Sequence, residues 1–166
     1  HMFESSRLMK EGYFYGGIYA MAAIFIYIMV SFGSLLAALI VLLPVVVGSF
    51  WTVGIMDLIG VSFNLANLVI LPLIIGIGVV NGVHIVHRYR EETEKTINVL
   101  SKSTGRGVIL SSLTTMIGFG SLMVADHQGI YSLGLVLTLG VGCCLIASIT
   151  LLPAILQFFT DKCWKI

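Results

Sequence analysis

Residues 76 to 92 read GIGVVNGVHIVHRYREE, an apolar run interrupted by two side chains that can do hydrogen-bond or proton chemistry, Asn81 and His84. An amide donates and accepts hydrogen bonds but carries no exchangeable charge at physiological pH, whereas an imidazole changes charge near neutrality. Further along, SSLTTMIGFG supplies Ser111, Thr114 and Thr115, hydroxyls able to bond a neighbouring helix or their own backbone carbonyls. At 100° per residue, Asn81, His84 and Arg88 fall within an arc of about 60°, while His87 points to another side near the charged end. Gly78 and Gly82 form a G-x-x-x-G step beside them, which lets another helix approach closely. Ser111, Thr114, Thr115 and Gly118 share one side of the later run. Packing the two faces together would bring Asn81 and His84 to Thr114 and Thr115, a polar spot within a bundle. One reading is a proton or substrate path, since ionisable groups inside membranes are expensive and commonly functional. The other is a set of interhelical hydrogen-bond partners with no further role.

These residues need a frame, and composition says what kind. Of 166 residues 58% are hydrophobic and only 10% charged, with a mean hydropathy of +1.04. Soluble domains carry about a quarter charged residues, so this chain cannot cover itself with polar groups and takes lipid as its solvent. A span needs roughly 20 apolar residues to cross a hydrocarbon core of about 30 Å. Five runs qualify, about 13–32, 35–56, 65–87, 107–125 and 130–159, all expected as helices because the alternation of a barrel strand is absent. The last is longer than one span and is expected to tilt or protrude. Pro44, Pro72 and Pro153 lie inside these runs and should bend them.

Seven of the nine basic residues lie either between the third and fourth runs (Arg88, Arg90, Lys95, Lys102, Arg106) or after the fifth (Lys162, Lys165). Positive residues favour the cytoplasmic side, which puts the C-terminus and the 88–106 loop inside and the N-terminus outside. Residues 3–12 then read as a periplasmic lead-in, 160–166 as a cytoplasmic tail, and His1-Met2 as an expression remnant ahead of a piece of a larger protein. Within the loop, Glu91 and Lys95 stand at i and i+4 with Ile97 and Leu100 behind them, a short surface helix serving as connector or docking surface.

Other chemistries lack their residues. No G-x-x-x-x-G-K-[ST] loop occurs, so ATP is not a direct drive. The histidines have no cysteine or carboxylate neighbours at metal-ligand spacing, and no Ser/His/Asp set can be assembled. Cys143 and Cys144 sit in an apolar run and Cys163 near the end, which gives packing residues rather than a disulfide framework. Asp57 and Asp126 fall at span ends, as caps or turn residues. A net charge of +1 gives no case for nucleic acid.

NLANLVILPLIIGIGVVNGVHIVHRYREE, followed by GRGVILSSLTTMIGFGSLM and LLPAI, resembles the RND superfamily over residues 10–159. The branch it is most similar to is the MMPL-type and sterol-sensing-like one, in particular hopanoid-associated RND lipid transporters. The resemblance implies twelve spans in two six-helix halves related by an axis along the membrane normal, each half with a periplasmic domain. The chain would supply the last five spans of the C-terminal half. It also implies proton-driven antiport that exports a hydrophobic, hopanoid-like lipid across a bacterial inner membrane, with protons as coupling ion and no other cofactor. The relay helix of that family commonly reads G-x-G-V-D-Y or G-x-G-V-D-D, and here Val80 and Asn81 stand at the two final positions. No acid remains at that depth, so the other half is expected to supply it, with Asn81, His84, Ser111, Thr114 and Thr115 as relay neighbours and Gly78, Gly82 and Gly118 as packing positions.

The expectation is an all-α integral membrane protein and no enzyme. It is a five-helix transmembrane bundle equivalent to the last five spans of one RND half, partnered by the other half or by a second copy. Sterol-sensing domains share the five-span arrangement, so a lipid-binding regulatory module is the alternative.

Overall fold

The structure is a computed structural model that describes residues 2–61, 70–91 and 102–161. Five helices account for nearly all of them: α1 (Met2–Phe32), α2 (Leu35–Leu58), α3 (Ile70–Glu91), α4 (Lys102–Gly120) and α5 (Gln128–Asp161). A single 3-10 turn, Ser121–Val124, follows α4. With no strand among the described residues, the chain is an all-α membrane bundle. Helix α1 runs straight through the segment read as a lead-in, and Arg88–Glu91 and Lys102–Arg106, assigned to a loop, extend α3 and α4. The proposed surface helix around Lys95, Ile97 and Leu100 and the 162–166 tail lie outside the described residues.

Among the described residues, four helical stretches are long and apolar enough to cross a membrane: Tyr15–Phe32, Leu35–Leu58, Thr104–Val124 and Gln128–Phe158. The described part of α3 is not one of them. It carries Asn81, His84, His87, Arg88, Arg90 and Glu91, and residues 65–69, which extend its apolar run, lie outside the described residues. Its polarity is tolerated because α3 packs between α2 and α5 rather than facing outward alone.

Helix α5, 34 residues or about 51 Å at 1.5 Å per residue, is the axis on which the others pack. Its broadest interfaces are with α2 and α4, and α1 lies at the edge against α2 and α3. The core forms two tiers. One gathers Ile28, Val41, Val45, Val79, Ile85, Val86, Leu152 and Leu156, and the other Met56, Ile70, Ile74, Val136, Leu137 and Cys144. Both α2 and α5 continue unbroken through Pro44 and Pro153.

Lipid tails are as apolar as leucine, so helices associate in a membrane through close van der Waals contact, which small residues permit. A side chain at Gly48 would put its Cβ 2.7 Å from the Cα of Cys144, closer than atoms can stand. The glycine therefore sets the α2–α5 crossing. Gly33, at φ +60°, makes the turn between α1 and α2. Beside that turn the Arg90 guanidinium donates to the carbonyl of Phe32 at 2.8 Å and stands 5.0 Å from the centre of its ring. The charged end of α3 is thereby tied to the end of α1 and the start of α2, as alternating antiparallel spans require.

Candidate functional site

Helix α3 enters the bundle on its glycines. At Gly82 a Cβ would lie 3.0 Å from the carbonyl oxygen of Val41, and at Gly78 it would lie 3.2 Å from the Sγ of Cys144. The G-x-x-x-G step thus seats α3 in the groove between α2 and α5. With that face committed, Asn81 turns toward α4, and its side chain is 4% exposed. Its Nδ2 donates to Ser112 Oγ at 3.0 Å, and Ser112 Oγ donates back to Asn81 Oδ1 at 3.3 Å. Ser112 is itself buried, at 2%.

This pair differs from several other hydroxyls of the spans, while Thr138 reaches the carbonyl of Met116 on α4 at 3.4 Å as well as that of Gly134 on its own helix at 2.8 Å. Ser49, Thr52 and Thr150 donate to carbonyls of their own helices at 2.7–2.8 Å, the ordinary way a hydroxyl is satisfied in a helix. Asn81 and Ser112 instead join two helices side chain to side chain. The amide has two donors and two acceptor positions, and the reciprocal pair uses one of each. One N–H and one lone pair remain.

Asn81 also lines a cleft. Asn81 and Val108 line its inner part, and His84 and Ser111, both exposed on this chain, stand next along it. His87, Arg88, Thr104 and Gly107 complete a volume of about 370 Å³ between α3 and α4, toward the charged end of α3. Among the described residues, no group of three or more His, Cys, Asp or Glu is placed to share a metal ion.

The structure therefore brings Asn81, His84 and Ser111 to one cleft and holds Gly78 and Gly82 at helix crossings. Thr114 and Thr115 stand apart. They donate to the carbonyls of Leu110 and Ser111 at 2.8 and 2.9 Å and do not line the cleft. Gly118 has nothing within 4 Å of the position a Cβ would take, so on this chain it faces open space. Asp57 and Asp126 are exposed beyond the core.

Sequence reasoning missed Ser112. The Ser111–Ser112 dipeptide offers two hydroxyls about 100° apart on a helix, and the neighbouring threonines favoured the first. A usable signal was there: Gly105, Val108 and Ser112, at spacings of three and four, are the buried stripe of α4.

A helical bundle with an apolar exterior, glycine-mediated crossings and a buried polar pair opening on a cleft defines a multi-pass membrane protein with a site inside its bundle. The chain belongs to the MMPL family, whose pattern its residues 4–165 match. It is 34% identical over 155 residues to a membrane protein of Methanocaldococcus jannaschii, covering 90% of this chain and 40% of the relative. It is 33% identical over 125 residues to the hopanoid transporter HpnN of Burkholderia multivorans, covering 75% of this chain and 14% of that one. The HpnN of Rhodopseudomonas palustris is 30% identical over 155 residues, 93% of this chain and 17% of the relative. The chain thus spans less than half the length of the curated relatives it matches. No solved structure matches it.

Proposed function

We propose that this chain is part of the transmembrane domain of a proton-motive-force-driven RND exporter of hydrophobic, hopanoid-like lipids, and that it contributes the C-terminal-half side of the proton relay. The observation that supports the reading is the buried Asn81–Ser112 pair, in which Asn81 stands where the motif resemblance expects a relay residue and lines a polar cleft. Neither member can release a proton in a transport cycle. The chain's part is to orient and hydrogen-bond a titrating acid on another element, with His84 as a hydrated neighbour. The HpnN relatives support the transport class and the lipid. The other half of the transporter, or a second copy of this chain, covers the outward side of α4, and the charge distribution supports a periplasmic N-terminus and a cytoplasmic C-terminus in a bacterial inner membrane.

The test uses the intact protein reconstituted in liposomes, with a labelled hopanoid and an imposed proton gradient. Export is expected to require the gradient, to stop with a protonophore, and to fall in Asn81→Leu and Ser112→Ala. Transport indifferent to the gradient removes the proton coupling. Lipid binding without transport, lost in Asn81→Leu, replaces the exporter with a sterol-sensing-like regulatory module, for which two neutral groups suffice.

A further inference from the structure

The residues lining the α3–α4 cleft all lie on one side of the Asn81–Ser112 pair. On α3 they run from Asn81 to Arg88, and on α4 from Ser111 back to Thr104. The cleft thus extends about 10 Å from the pair to the charged end of α3, at 1.5 Å per residue. Polar groups recur along that length. Asn81 and Ser111 stand at the inner end, His84 follows, and Thr104 lies near the mouth. Beyond the pair the same seam changes character. Ile74 and Ile77 continue the Asn81 line of α3 toward its other end, and Met116 and Phe119 continue the Ser112 line of α4. Ile74 is fully buried, and its side chain occupies the notch left by Gly140 of α5. Phe119 packs against the apolar cluster that contains Ile74. Met116 Cε stands 3.2 Å from where a Cβ on Gly142 would lie.

A roomy polar space takes up water. A buried water needs about 10–15 Å³ of accessible volume and two to four polar partners, and the cleft offers about 370 Å³. His84 and Ser111 are exposed within it, and hydrocarbon there would leave an imidazole and a hydroxyl without partners. We infer that the cleft is a half-channel, filled with water from the Arg88 end as far as the Asn81–Ser112 pair and closed beyond it by Ile74, Ile77, Met116 and Phe119. Protein on the outward side of α4 then forms its outer wall. The access route stands on the cleft alone. Its use by a coupling proton, which would exchange with one compartment only, rests on the transport reading.

Single cysteines test this in the intact protein with Cys163→Ala, since Cys143 and Cys144 are buried. Sealed membrane vesicles of both orientations receive 2-sulfonatoethyl methanethiosulfonate, a charged thiol reagent that does not cross the bilayer. In the parent, Cys163 follows α5 and marks the side on which α3 ends, because α4 and α5 cross in turn. His84→Cys and Ser111→Cys are expected to react from that side and not from the other. Ile77→Cys, about one turn beyond Asn81, should react about tenfold more slowly or less from either side. Apolar surroundings suppress the thiolate, and each unit of thiol pKa is a factor of ten. Thr104→Trp narrows the mouth and should remove most of the Ser111→Cys reaction. Ser111→Cys exchanges one atom, so it decides the matter if His84→Cys misfolds. Labelling needs neither lipid nor gradient, so a failed transport assay and a dry cleft are separate results. A silent Ser111→Cys, equal reaction from both sides, Ile77→Cys as fast as Ser111→Cys, or labelling indifferent to Thr104→Trp overturns the half-channel.

Discussion

At the scale of single residues, the informative contrast is between polar groups that are paired and one that is not. Asn81 and Ser112 satisfy each other across two helices, and in membranes such interhelical bonds contribute about 0.6–2 kcal/mol because the separated helices find other partners. Ser112→Ala leaves a buried amide short of a partner, whereas Asn81→Leu leaves a hydroxyl that can turn back to its own helix. Ser112→Ala is therefore expected to be the more damaging single change. A double-mutant cycle read by unfolding in mixed micelles should give a coupling of about 1 kcal/mol. A coupling of zero would mean the pair is incidental. Ser148 is the opposite case. Its side chain is fully buried and its Oγ has no hydrogen-bond partner among the described residues. Removing an unsatisfied hydroxyl relieves its desolvation, so Ser148→Ala should leave stability unchanged or raise it by about 1 kcal/mol in the same assay. A loss of similar size would show that the hydroxyl has a partner in the membrane.

At the scale of helices, small residues decide which faces meet. Gly82 has the backbone of Val41 against it, while Gly118 has nothing within 4 Å, although both were read from the sequence as packing positions. Gly82→Leu must push α3 away from α2 and should cost about 3 kcal/mol or more, in the range of overpacked cores. Gly118→Leu should leave the unfolding of the isolated chain unchanged. Equal effects would mean that α3 and α4 are placed differently. The same contrast shows what the sequence made legible. Apolar runs located the helices because lipid leaves the backbone few alternatives, and at the G-x-x-x-G step of α3 an added Cβ would meet Val41 and Cys144. The inward face of α4 was not legible from its hydroxyls. Thr114 and Thr115 satisfy themselves on their own backbone, so their clustering says nothing about a neighbouring helix. The buried stripe Gly105–Val108–Ser112 follows from size and spacing instead. The helical course of residues 2–12 was hidden for a related reason: polar composition ends an apolar run, but it does not end a helix.

At the scale of the whole molecule, the bundle has an uneven outside. The Tyr15–Phe32 part of α1 and the Thr104–Val124 stretch, α4 with the turn after it, are both mostly unburied; α1 exposes tyrosines among its aliphatic side chains, and α4 exposes serine and threonine. Ser111 and Thr114 are open on the same helix as Leu110, Leu113 and Ile117, and His84 is open on α3 beside it. An imidazole held against hydrocarbon is unfavourable, and small residues such as Gly118 leave a surface that a helix fits better than lipid chains do. The α4 side is therefore expected to be covered by protein, and for the isolated chain that means a second copy. Paired about an axis along the membrane normal, two copies would present α4 to one another as two halves would. Gly118→Cys in a Cys163→Ala background should then form a disulfide-linked dimer in membranes under mild oxidation. Val30→Cys, on the equally exposed α1, should not. Cys143 and Cys144 are buried and should remain silent in both. A chain that stays monomeric with Gly118→Cys, or that cross-links equally well through α1, would show that the polar side of α4 is not an interface between copies.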